Sequence, residues 1–247
     1  MTKNFLLSFS LFISIFTCVT VRAAETIEFP EEELAKESVV PVFENSRSVL
    51  NRKVNTKGRF EFGGGAGLTL NEAFYNPMNF GFTATYHFNE EHGLNLSGTF
   101  WMDGLSTYGE QLERGEGLTG ANFDASYAPH AKSMFLANYQ FTAFYGKISL
   151  SKQTVMNLSL HGLAGLGMIQ MDGVSPITAN IGMGQRFYFT ERFAFRMDLN
   201  LLMFQGPDPT SANLDDTNGR NPNVKPADFS DTLQFQTLLQ AYLVFLL

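Results

Sequence analysis

From position 58 onward the chain alternates between apolar and polar residues in eight stretches. In RFEFGGGAGLTL, residues 59–70, even positions carry Phe60, Phe62, Gly64, Ala66, Leu68 and Leu70, whereas odd positions carry Arg59, Glu61, three glycines and Thr69. Successive side chains of a strand point to opposite faces, so a period of two held over about ten residues describes a strand with an apolar medium outside and a polar interior inside. Half-buried strands of water-soluble proteins alternate as well, but usually for about five or six residues.

Seven further stretches repeat the pattern. FGFTATYHFN (80–89) and LNLSGTFWM (94–102) form a hairpin about a tight turn, and the fourth stretch, about Ser133 to Gly146, puts Phe135, Ala137, Tyr139, Phe141 and Tyr145 on one face. There Met134, Leu136 and Phe144 break the alternation, which points to a β-bulge. TVMNLSLHGLAGLGMI (154–169) follows, then TANIGMGQRFYF (178–189) and FAFRMDLNLLMF (193–204) joined by Thr190-Glu191-Arg192, and finally Asp231 to Leu247. The reading is all-β: an eight-stranded antiparallel up-and-down transmembrane β-barrel over residues 58–247. Connection lengths agree with it. Short turns at 89–93, 146–153 and 190–192 fall on one side, and the long connections 103–132 and 205–230 on the other, as periplasmic turns and external loops do. Aromatics gather at both ends: Phe60, Phe62, Tyr86, Phe88, Tyr145, Phe187, Phe189, Phe193, Phe195 and Phe245 at the turn side, and Phe80, Phe82, Phe100 and Phe135 at the loop side. Two such belts are expected where rings meet lipid headgroups.

Composition alone points elsewhere, since 44% hydrophobic residues and a mean hydropathy of −0.06 suit an ordinary soluble protein. Barrels conceal their membrane signal because interior polar residues dilute the lipid-facing ones. Upstream, Lys3, an apolar run from Phe5 to Val21 and the small residues of Val21-Arg22-Ala23-Ala24 predict a secretory signal over residues 1–23, cleaved after Ala23 or Ala24. The run falls short of the roughly 20 residues of a membrane anchor. The sole cysteine, Cys18, leaves with it. Cleavage removes Lys3 and Arg22 and no acid, so the formal charge moves from −7 to −9. An acidic mature chain argues against nucleic acid as a partner.

Residues 24–57 read as an acidic periplasmic extension: Glu25, Glu28, Glu31 to Glu33, Glu37 and Glu44 precede Arg47, Arg52, Lys53 and Lys57. A solvated tether is expected, with a docking segment for an envelope partner as the sharper alternative.

The run from Asn51 to Phe204 resembles the small outer-membrane β-barrel domain family of deltaproteobacterial type. The resemblance rests on NRKVNTKGRFEF, NEAFYNP, YHFNEEHGL, YGKISL, LHGLAGLGM and GMGQRFYFTERFAFRMDL. These are scaffold features, without a catalytic signature. The architecture is also similar to the eight-stranded OmpA, OmpX and OmpW barrels, and some relatives look linked to surface-motility or envelope complexes.

Eight strands leave an interior just filled by side chains, so an open pore is not expected. By parity Arg59, Glu61, Arg186, Arg196 and Asp198 point inward near the turn end. If the Thr190 turn pairs Phe189 with Phe193, Arg186 faces Arg196 and Asp198 lies on the diagonal. Buried guanidiniums need nearby acids, so an ion network that plugs the lumen is predicted, with a gate or a small-anion site as the functional alternative. Ser159 and His161 share the inner face, with Asp172 beyond, but nothing supplies an oxyanion hole, and no enzyme is expected. Asp208, Asp215, Asp216, Asn218 and Gly219 hint at calcium, yet Leu214 stands where an EF-type loop needs its first Asp, and four prolines favour an ordinary exposed loop. No cofactor is called for. The expected function is therefore a non-enzymatic structural or interaction role in the outer membrane, with both termini periplasmic. The expected partners are lipids and lipopolysaccharide, the barrel assembly machinery and an envelope protein. The alternative is OmpW-like passage of a small hydrophobic molecule through a lateral opening at the glycine-rich walls 63–67 and 162–167.

Overall fold

A computed structural model describes residues 52–114, 128–149, 155–211, 215–216, 219–220 and 228–247. The expected signal segment and the extension up to residue 51 lie outside the described residues. Eight strands close the wall: β1 (Phe60–Thr69), β2 (Met78–His87), β3 (His92–Trp101), β4 (Ser133–Ser149), β5 (Val155–Gln170), β6 (Ile177–Tyr188), β7 (Phe193–Pro207) and β10 (Asp231–Leu246). Each pairs antiparallel with its chain neighbours, and β10 returns to β1, so the barrel is an all-β up-and-down meander, as the alternation predicts. Closure pairs both edges of every wall strand.

The short turns carry their own chemistry. Asn89 Oδ1 accepts from the backbone N–H groups of Glu91 and His92, at 2.9 and 2.6 Å, and Thr190 Oγ1 accepts from those of Arg192 and Phe193, at 3.2 and 2.9 Å. These side-chain oxygens replace the ladder partners the chain loses as it reverses. Phe189 N–H then donates to Phe193 O, and the register that follows puts Arg186 opposite Arg196.

Outward positions are large, apolar and exposed all round the wall. Phe60, Phe80, Ile177, Ile181, Leu233 and Leu243 each expose half or more of their surface. Ten residues rising about 3.3 Å each, tilted by about 40°, project about 25 Å along the axis, the height of an apolar membrane band. Polar and charged side chains are buried inside.

The bulge falls between Thr142 and Phe144, later in β4 than Met134 and Leu136. Those two residues do not break the pleat; they are inward apolar residues, 1% and 5% exposed. Past the extra residue the parity inverts. Phe144 turns outward and Tyr145 inward, so Tyr145 does not belong to the aromatic belt as expected.

Two elements were not anticipated. The first long loop contains a short helix α1 (Thr107–Glu113), capped by Ser106 Oγ, which accepts from Gly109 N–H at 3.0 Å. The last loop contains a two-residue pairing of β8 (Asp215–Asp216) with β9 (Gly219–Arg220).

Candidate functional site

Inward positions near the turn end of five strands bring six ionisable side chains together: Glu61 (β1), His87 (β2), His161 (β5), Arg186 (β6), and Arg196 and Asp198 (β7). All are at most 3% exposed. The two arginines face each other across the β6–β7 ladder, an arrangement that repels unless acids interleave. Glu61 does so. It accepts from Arg186 Nε and Arg196 Nη1, each at 3.1 Å, and its other side meets His87 Nε2 at 3.3 Å. Asp198 chelates Arg196 Nε with both oxygens, at 3.0 and 2.8 Å, and Oδ1 also meets His161 Nε2 at 3.0 Å. Arg196 Nη1 reaches further to Gln140 Oε1 at 3.3 Å. Two guanidiniums and two carboxylates balance in charge, as their burial requires.

Of the residues assigned to this network by parity, Glu61, Arg186, Arg196 and Asp198 meet. Arg59 does not. It stands one residue before β1, outside the wall proper, and its guanidinium bonds backbone carbonyls of Asn55, Glu191, Leu246 and Leu247 at 3.0–3.3 Å. It ties the barrel seam together instead of charging the lumen. His87 and His161 are members that sequence reasoning missed. In the structure His161 pairs with Gly184, which in turn pairs with Asp198. A Cβ at Gly184 would collide with Asp198 Oδ1 and His161 Nε2, so the missing side chain is what lets that contact cross β6.

Toward the loop end lies a belt of amides. Asn95 Nδ2 donates to Thr83 and Thr85 hydroxyls at 2.7 and 2.8 Å, Asn138 Nδ2 donates to Asn95 at 3.2 Å, and Asn180 Nδ2 donates to Asn138 at 2.8 Å across the bare backbone of Gly165. Beyond it, Met134, Leu136, Ile169, Leu202, Phe204 and Leu238 form a buried apolar cluster. At the turn end a second cluster joins Tyr145, Tyr188, Ala194, Tyr242, Val244 and Leu246 with Val54, 2% exposed, from the segment before β1. Val54 N–H donates to the Tyr145 hydroxyl at 3.3 Å, and the Arg52 guanidinium sits 5.1 Å over the Tyr145 ring and binds Glu90 at 3.0 Å. Residues 52–57, expected to be free tether, therefore cap the lumen.

The remaining candidates are dispersed. Ser159 Oγ contacts the Tyr188 hydroxyl at 3.2 Å, and His161 is engaged by Asp198. Asp172 lies at the loop end, paired with Lys132 Nζ at 2.5 Å, and that carboxylate holds the ammonium above its ordinary range. No Ser-His-Asp relay forms from these three. In the last loop the Asp208 carboxylate is occupied by Thr210, whose N–H and hydroxyl both donate to it, at 2.8 and 2.7 Å. Leu214 and Asn218 fall outside the described residues. The glycine walls are continuous: 63–67 pair without interruption to β2 and β10, and 162–167 to β4 and β6.

Similarity to solved structures is distant. The chain is 12% identical to the N-terminal β-barrel domain of Pseudomonas aeruginosa OprF, covering 77% of this chain and 98% of that one with a TM-score of 0.41. It is 7% identical to Neisserial surface protein A, covering 77% and 97% with a TM-score of 0.36. No family model and no curated protein matches the chain.

Proposed function

We propose that the chain is a small outer-membrane barrel of the type its motifs resemble, non-enzymatic, with a sealed lumen and a structural or interaction role in the cell envelope. One observation carries this reading: the distribution of polarity is inverted relative to a water-soluble barrel. Phenylalanine, leucine and isoleucine cover the outside, and four formal charges lie at 3% exposure or less inside. Such a surface is stable only against an apolar medium, because exposed apolar area on this scale drives association in water. The short turns and both ends of the described chain would face the periplasm, with the long loops outside and lipid and lipopolysaccharide around the wall. Insertion would then fall to the barrel assembly machinery, and the residues before Arg52 would be the segment offered to an envelope partner.

Membrane fractionation and planar bilayers test this together. The protein should sediment with the outer membrane, migrate faster on gels before boiling than after, and give no steady conductance once inserted. A soluble fraction without heat-modifiable migration would reject the membrane reading, and a steady open current would reject the sealed lumen.

A further inference from the structure

The chain as a whole is acidic, with a formal charge of −7, but its cations do not divide evenly between the two ends of the barrel. Among the described residues outside the lumen, Arg52, Lys53, Lys57, Arg59, Lys147 and Arg192 stand at the turn end against Glu90, Glu91 and Glu191. At the loop end Arg114, Lys132 and Arg220 stand against a larger number of acids, Glu72, Asp103, Asp172, Asp208 and Asp231 among them. We propose that the rim at the turn end recognises the headgroups of anionic phospholipids. The proposal rests on the membrane reading above and, with the turn end in the periplasm, assigns the rim to the inner leaflet.

Two of the turn-end cations are already engaged. Arg52 binds the Glu90 carboxylate at 3.0 Å, and the Arg59 guanidinium donates to backbone carbonyls of the seam. Lys53, Lys57, Lys147 and Arg192 are exposed, and none of them pairs with a carboxylate of the described residues. Glu91 and Glu191, also exposed, are the acids left over, so positive charge remains in excess on the rim.

Depth decides what that charge meets. Lys147 precedes the outward Ile148, and Arg192 precedes the outward Phe193, the residue that opens β7. Lys57 lies shortly before Phe60, where β1 and its lipid-facing side begin. All three therefore stand within about one to three residues of an apolar side chain of the outer wall, and a strand rises about 3.3 Å per residue. Their long stems carry the charged heads out of the hydrocarbon to the level of headgroup phosphates. The exposed rings of Phe60, Phe88, Phe189 and Phe193 mark the same level.

Charge then selects among headgroups. A zwitterionic headgroup carries a cation beside its phosphate and gains little from a lysine, whereas an anionic one carries none, so each rim cation adds attraction. Arg192 has the fork that binds phosphate through two parallel N–H bonds, and the lysines act as point charges. The loop end, with acids in excess, repels the same headgroups. Lys57 before β1, Lys147 on β4 and Arg192 between β6 and β7 belong to separate parts of the closed strand order, so the rim suits a collar of several lipids and not one lipid in a pocket.

The test uses the full chain, folded in detergent and mixed with equal amounts of phosphatidylglycerol and phosphatidylcholine of the same acyl chains, with the retained lipids counted by native mass spectrometry. Phosphatidylglycerol should be retained over phosphatidylcholine by about threefold or more at low salt, and the preference should shrink in about 0.5 M NaCl. Lys57→Gln with Lys147→Gln and Arg192→Gln should abolish the preference. Arg114→Gln with Lys132→Gln, which removes positive charge from the loop end, should leave it in place. Both sets should keep heat-modifiable migration, since all five side chains are exposed. Equal retention of the two lipids by the unaltered protein, a rim variant that keeps the preference, or its equal loss from the loop-end variant overturns the proposal and leaves the membrane reading intact. Retention of neither lipid overturns both.

Discussion

Asp198 is the acid on which the lumen's charge balance turns, because it holds Arg196 through both oxygens and His161 through one. Asp198→Asn keeps the volume but leaves Glu61 alone between two buried guanidiniums. Removing one partner of a buried pair costs about 3–5 kcal/mol, so the midpoint of the heat-modifiable gel transition should fall clearly. An unchanged midpoint would remove the network from the account of stability. Gly184→Ala should act at the same place by steric means, costing about 1–3 kcal/mol as the added methyl forces the His161–Asp198 contact apart. Much of this site was legible in the sequence, since parity alone turns Glu61, Arg186, Arg196 and Asp198 inward and the Thr190 turn fixes their level. Arg59 obeys the same parity but precedes the first paired residue of β1, where the pleat no longer dictates direction. The histidines were hidden for another reason. Their contacts need the relative depth of three or more strands, and a single alternating stretch carries no information on depth.

The strands themselves were readable because a period of two survives local irregularity, whereas the place of an irregularity does not show in the pattern it disturbs. In β4 the inward Met134 and Leu136 look like errors of alternation, yet the extra residue lies after Thr142, and only there does the face of Tyr145 change. The segment 52–57 was unreadable for the opposite reason. Val54 is one apolar residue among Arg52, Lys53, Asn55 and Lys57, too short a run for any periodicity, and its burial depends on a pocket made by Tyr145, Tyr188 and Tyr242 of distant strands. Val54→Asp should free this segment, because a carboxylate cannot be desolvated among those residues without a partner. Brief trypsin treatment should then cut at Arg52, Lys53 or Lys57 at least several times faster than in the unaltered protein, while the barrel keeps its heat-modifiable migration. Equal cleavage rates would mean that the segment is not held by Val54.

Over the whole molecule, the lumen is a stack, and strand β7 spells its order from the turn end: Ala194 in the apolar cap, Arg196 and Asp198 in the ion network, Asn200 in the amide belt, Leu202 and Phe204 in the second apolar cluster. Layers in series give a sharp expectation for permeation. An ion must cross both a desolvating apolar cluster and a layer of buried charges paired with one another, so the higher remaining barrier controls the current whichever layer is weakened. Glu61→Ala with Arg196→Ala removes one charge of each sign and opens the network while leaving Leu136, Leu202 and Phe204 in place. Leu136→Ala with Leu202→Ala and Phe204→Ala opens the cluster and leaves the network. In planar bilayers each set alone should stay without steady conductance, and only the combined variant, provided it still migrates as a folded barrel, should conduct. Current from either set alone would show that the other layer is no seal.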